Sequence, residues 1–145
     1  MSFVPDDFQP PRGLRADAFA LEPLGPEHNE RDYAAWTSSV EHIRASPGWA
    51  GSSWPHEMTP DENRRDLERH ARDFAERTGF TYTVLDPLDG DVVGCVYIYP
   101  GDESAASVHS WVRADRAALD LPLRRAVRDW LDAEWPFERV DYAGL

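Results

Sequence analysis

Hydrophobic and polar positions change their spacing several times along this chain, and each change predicts an element. Residues 1–17 read as an N-terminal arm, since Pro5, Pro10, Pro11 and Gly13 interrupt any regular structure. Phe3, Val4 and Phe8 still give the arm apolar groups to tuck onto a folded body. Residues 19–24 alternate as a strand does and stop at Gly25-Pro26. Pro26 suits the first turn of a helix, and Tyr33, Trp36, Val40 and Ile43 recur at threes and fours. A helix with one apolar face is therefore expected, fading near Ser46-Pro47. A loop rich in glycine and serine, residues 48–56, follows. Thr59 and Glu62 have capping-box spacing, and Leu67, Ala71 and Phe74 form the buried stripe of a second helix, with Gly79 just past its end. Asp61/Arg65, Glu68/Arg72 and Asp73/Arg77 are expected to pair along its wet face.

The period then becomes alternating. Residues 80–85 and 92–99 read as a hairpin around the turn Asp86 to Gly90, and residues 105–113 as a further strand after Pro100-Gly101-Asp102. Asp120 is expected to cap a last helix with Pro122 in its first turn. Leu123, Val127, Trp130 and Leu131 line its inner side, and Trp135-Pro136 ends it. Residues 139–143 make a short final strand. The order β-α-α-β-β-β-α-β predicts an α/β fold in one domain over residues 18–145. Its sheet is mixed: the middle strands meander, and the last helix is a crossover that makes the final strand parallel.

Composition narrows the function. The chain has 27 acidic and 15 basic residues, a formal charge of −12, which argues against nucleic acid because phosphate contacts need a basic face. No apolar run reaches membrane-spanning length, and the start carries Asp6 and Asp7 with no apolar core of a signal peptide. With one cysteine there is no internal disulfide, so a cytoplasmic setting is expected. Every one of the 15 basic residues is arginine, which excludes lysine Schiff bases and a Walker lysine. His28, His42, His56, His70 and His109 show no metal-binding spacing, so no metal is expected. Net acidity favours a small cationic substrate by steering, or simply keeps the protein soluble.

Local wording adds a resemblance. Residues 14–24, Leu-Arg-Ala-Asp-Ala-Phe-Ala-Leu-Glu-Pro-Leu, look like the opening of ribosomal-protein N-acetyltransferases. Phe80-Thr-Tyr-Thr-Val-Leu, Asp89-Gly90 and Val92-Val-Gly-Cys-Val-Tyr-Ile98 look like that group's second and third strands. With the element order, residues 14–145 resemble the GCN5-related N-acetyltransferase (GNAT) superfamily. The resemblance implies a GNAT-like fold and transfer of an acyl group from acetyl-CoA or another acyl-CoA to a small amine. The alternative is a repurposed GNAT scaffold that no longer uses coenzyme A and binds or transforms another small molecule. Two departures bear on that choice. Family members carry Arg/Gln-x-x-Gly-x-Gly/Ala before the helix after their fourth strand, whose N–H groups cradle the coenzyme pyrophosphate. Ala117-Ala-Leu-Asp-Leu-Pro122 stands there instead, with an anionic Asp120 and no glycine. The family also continues with a further helix and two strands. The fold is thus expected to be shortened after its fifth strand, leaving an edge open to a homodimer or to cover by the arm.

Candidate site residues follow from the same alignment. Val112, Arg113, Arg116 and Arg124 are candidate coenzyme contacts, the arginines as an alternative phosphate clamp or as a solvated face. Ser107 or Val108 occupies the family's glutamate position, and His109 is the nearest replacement base, or else a structural histidine. Tyr97 offers a catalytic hydroxyl, and Cys95 beside it reads as packing. Trp49, Trp54 and His56 form an aromatic lid over a substrate or plug the end of the core. Tyr99, Trp111, Asp141 and Tyr142 are the remaining candidate substrate contacts.

Overall fold

A computed structural model describes residues 2–145. Six strands form one sheet in the order of the chain: β1 (Leu14–Arg15), β2 (Ala20–Pro23), β3 (Phe80–Leu85), β4 (Val92–Pro100), β5 (Ala106–Val112) and β6 (Val140–Tyr142). The first five are antiparallel neighbours, and β6 joins β5 in parallel after helix α4 (Asp120–Glu134). Helices α1 (Asn29–Thr37), α2 (Val40–Ala45) and α3 (Pro60–Glu76) stand between β2 and β3. Among the described residues no helix is long and apolar enough to cross a membrane.

Alternation sorts the sheet's side chains between two cores. Phe80, Tyr82, Val96, Ile98, Val108 and Val112 point toward α4, where Leu123, Val127, Trp130 and Leu131 meet them. Cys95, Trp111 and Tyr97 point the other way, toward Trp36, Ile43, Trp49 and Leu67. The N-terminal segment closes the α4 side. Val4 is buried, Phe3 stacks on Phe137 at 5.0 Å, and Phe8 packs on Trp135 at 5.2 Å. It makes no backbone hydrogen bond to β6, whose outer edge stays unpaired among the described residues.

Several local expectations need correction. The helix foreseen up to Ser46 is two helices, because Ser38 bonds back to the Ala35 carbonyl at 2.8 Å and Ser39 turns its hydroxyl to the Ala114 N–H at 2.8 Å. A two-residue strand, β1, precedes the one expected at residues 19–24. The capping box of α3 forms as foreseen, but the left-handed residue at its end is Arg77, not Gly79. Gly79 is instead required by contact, since a Cβ there would overlap the Tyr99 ring. The ion pairs of α3 run Asp61–Arg64, Asp66–Arg69 and Arg69–Asp73, and Arg77 donates to the Pro5 carbonyl.

Asp120 does not cap α4. A 3₁₀ turn, Ala114–Leu119, runs straight into the helix, and the Asp120 N–H donates to the Ala117 carbonyl. The carboxylate turns along the helix to Arg124 Nε, 3.0 Å away.

Candidate functional site

A cavity of about 330 Å³ opens between α1, α3 and β4, on the sheet face opposite α4. The loop after α2 supplies one wall. Trp49 donates its indole N–H to the Ser110 carbonyl at 2.9 Å, and its ring packs against Trp54 at 5.3 Å and edge-on against Tyr97 at 5.7 Å. Trp54 lies between Trp36 and Trp111. Trp111 in turn donates to the Tyr97 hydroxyl at 2.9 Å. Indole N–H groups fixed in this way hold the rings of a pocket wall in place.

The floor is polar and buried. Trp36 donates to Asn63 Oδ1 at 3.0 Å, and the Asn63 amide donates to Asp32 Oδ2 at 3.1 Å and Asn29 Oδ1 at 2.8 Å. Asp32 is 4% exposed. Burial pushes its carboxyl up to about 6, against the pull of the Asn63 hydrogen bond and of His28. It makes no ion pair among the described residues. The one arginine on the cavity wall, Arg69, sits between Asp66 at 3.7 Å and Asp73 at 3.9 Å.

Opposite lies His70, held in a hydrogen-bond network with β3 and β4. Tyr99 donates its hydroxyl proton to Asp73 Oδ2 at 2.8 Å, and His70 Nδ1 lies 2.9 Å from the Tyr99 hydroxyl and 3.1 Å from Thr81 Oγ1. Its Nε2 atom has no protein partner among the described residues. Burial first, and Arg69 second, lower the His70 pKa to about 4, so the ring is neutral at pH 7. The chemical capacity of the cavity is that of a neutral base and a buried carboxylate facing an aromatic wall.

The structure divides the foreseen site residues into two groups. Trp49, Trp54, His56 and Tyr97 line the cavity, with Trp111 and Tyr99 bonded just behind it. Both tryptophans thus plug the core and wall a pocket. Ser107, His109, Asp141 and Tyr142 line a separate shallow cleft of about 350 Å³ along β5 and β6. Tyr97 and His109 are register partners on neighbouring strands, yet the Trp49 ring packs on both. Burial and Arg124 lower the His109 pKa. The burial of Tyr142 pushes its hydroxyl up to about 12, and that hydroxyl donates to Ser110 Oγ at 2.8 Å. Asp32, Asn63, His70 and Asp73 were not among the foreseen residues. Their signal was polarity inside an apolar stripe: Asp32 shares the Trp36 face of α1, and Asn63 and His70 share the Leu67 face of α3.

The residues present do not fit a coenzyme. The first turn of α4 offers the Asp120 carboxylate, whose Oδ1 is buried without a partner, and Pro122 has no N–H to give. Val112 is buried in the α4-side core. The candidate clamp is already occupied within the chain. Arg113 is held by Asp91 and Asp115, Arg116 by Asp86, and Arg124 by Asp120. Arg124 is 1% exposed and fills the gap where β5 and β6 part, donating to the carbonyls of Ser110 and Ala143. From the other side Trp49 takes the same Ser110 carbonyl. Gly48, with φ +91°, lies so close to Ala143 and His109 that a Cβ would overlap both, so the loop seals the gap.

No protein-family profile and no curated protein matches this sequence. Solved structures match its fold. Ribosomal-protein-S5-alanine acetyltransferase from Vibrio fischeri superposes with a TM-score of 0.70 at 14% identity, covering 90% of this chain and 72% of its own. An acetyltransferase from Salmonella typhimurium that modifies the N-terminal serine of a 50S ribosomal subunit protein gives 0.65 at 10%, covering 88% and 71%. The microcin C7 self-immunity acetyltransferase, solved with acetyl-CoA and AMP, gives 0.60 at 13%, covering 86% and 69%. The fold is that of the GCN5-related N-acetyltransferases, and the likeness extends to the ribosomal-protein branch.

Proposed function

We propose that this protein uses the GNAT scaffold without coenzyme A and binds a small molecule in the cavity between α1, α3 and β4. Arg124 carries the reading. Its guanidinium, backed by Trp49 and Gly48, occupies the space between β5 and β6 that separates the α4 side from the cavity. The cavity keeps its own polar groups, Asp32 and His70, and needs no group from that gap.

Calorimetric titration with acetyl-CoA at physiological salt tests it. The expected dissociation constant is weaker than about 100 μM, a binding free energy no better than about −5.5 kcal/mol. Sub-micromolar binding would overturn the reading. A second reading, acyl transfer to a small amine, is favoured by the neutral His70, which suits removal of an amine proton. It requires Arg124 and Trp49 to release the Ser110 carbonyl, and the same titration decides between the two.

A further inference from the structure

We infer that the ligand of the cavity is an organic cation of the quaternary ammonium class, which has no N–H to transfer. The inference rests on the coenzyme-independent reading above and names the ligand of the same site. Its first support is a charge without a partner. Asp32 is buried on the floor of the cavity, holds one Asn63 N–H, and makes no ion pair among the described residues. Arg69 cannot serve, since Asp66 and Asp73 already hold it. A buried anion facing an open cavity is a place for a ligand cation, because pairing removes the penalty of leaving the charge uncompensated.

The second support is the wall. Trp49, Trp54 and Tyr97 line the same space, and aromatic rings attract a cation through their quadrupole. That attraction suits a cation whose charge is spread over methyl groups and whose hydration is weak. A primary ammonium asks for three acceptors. Here one Asp32 oxygen is shared with Asn63, and Asp66 pairs with Arg69, so the other Asp32 oxygen and His70 Nε2 are left as acceptors beside three aromatic rings. The net charge of −12 steers cations toward the molecule.

Titratable and charged groups stand around Asp32 on every element packed on it. His28 ahead of α1 and Asp66 on α3 act on it directly, Arg69 and His70 on α3 and His56 in the loop line the same cavity, and Cys95 and Tyr97 on β4 feel its charge. His70 stays neutral above its lowered pKa and so adds no charge between pH 5 and 7.5, whereas the Asp32 carboxyl titrates within that window.

The test is a calorimetric titration of the full chain at pH 7.5 with choline, with its uncharged isostere 3,3-dimethylbutan-1-ol, and with ethanolamine. Choline is expected to bind at least about tenfold tighter than either, a difference within the range of a cation over aromatic rings. Its affinity should fall as the pH is lowered from 7.5 to 5 and the Asp32 carboxylate takes up a proton. Asp32→Asn should weaken choline about tenfold or more and leave the isostere unchanged. Trp54→Leu, on the loop, should weaken choline by a similar factor if Asp32→Asn does not fold. Equal binding of choline and the isostere, or no choline binding at 50 mM or about that concentration, overturns the inference. Tighter binding of ethanolamine also overturns it and returns the site to transferable amines. If choline fails while acetyl-CoA also fails to bind, this inference alone falls. Tight binding of acetyl-CoA removes the reading beneath it.

Discussion

Arg124→Ala is expected to destabilise the protein by about 2–3 kcal/mol, because truncation leaves the Ser110 and Ala143 carbonyls without a donor and the part-exposed Asp120 carboxylate without its cation. The guanidinium is 1% exposed and bonds Asp120, Ser110 and Ala143. Without it, one Asp120 oxygen loses its partner while the other already has none. The carbonyls at the parting of β5 and β6 lose their donor as well. Urea unfolding followed by tryptophan fluorescence measures the loss. Adding Asp120→Asn to the same chain should recover part of it. A change below about 1 kcal/mol would mean that the guanidinium does not bridge the strands.

Asp32→Asn is expected to act in the opposite direction and stabilise the free protein at pH 7.5 by on the order of 3 kcal/mol. The folded-state pKa of Asp32, about 6, lies above its ordinary 3.8. The folded chain therefore holds this proton more tightly, and that contribution is lost as pH rises through 6. His70 works the other way. Its folded-state pKa, about 4, lies below 6.5, so its contribution is present above pH 6.5 and is lost as pH falls through 4. Between pH 4 and 6 the Asp32 and His70 slopes oppose each other, and His109, whose pKa is also lowered, adds to the His70 side. Asp32→Asn removes one slope, so the variant should gain stability steadily from pH 4 to 6.5. Denaturation curves at pH 4.5, 5.5 and 7.5 check this. A variant with no pH slope would show that His70 titrates normally.

The free protein thus carries a destabilising charge inside a cavity, and such residues escape sequence reading for a physical reason. Strands β3 to β5 were legible because alternation and the Asp86 to Gly90 turn are local signals. Helix α4 was legible from Leu123, Val127, Trp130 and Leu131. The break at Ser38 and Ser39 was not, since it depends on Ala114, which lies 75 residues further along the chain, offering its N–H to Ser39. Arg124 read as a surface clamp because arginine is rarely buried. Its burial follows from where β5 and β6 part, which no spacing encodes. Trp49 and Trp54 were foreseen as site residues from the family resemblance, which puts their Gly/Ser-rich loop beside the acceptor site, and Tyr97 from strand parity. His70 was passed over because a histidine on a charged helix looks like part of the wet face until Tyr99 and Asp73 are placed beside it.

The burial of Cys95 makes the molecule its own stopwatch. It is the chain's one thiol, fully enclosed beneath the α1 side of the sheet beside Trp111 and Val92. A disulfide reagent such as Ellman's can reach it only when that layer lifts, so the labelling rate of the native chain counts openings, not collisions. Labelling should be slow in buffer and fast in urea. A molecule held in the cavity should slow it further, which gives a ligand screen that needs no engineered label on the protein.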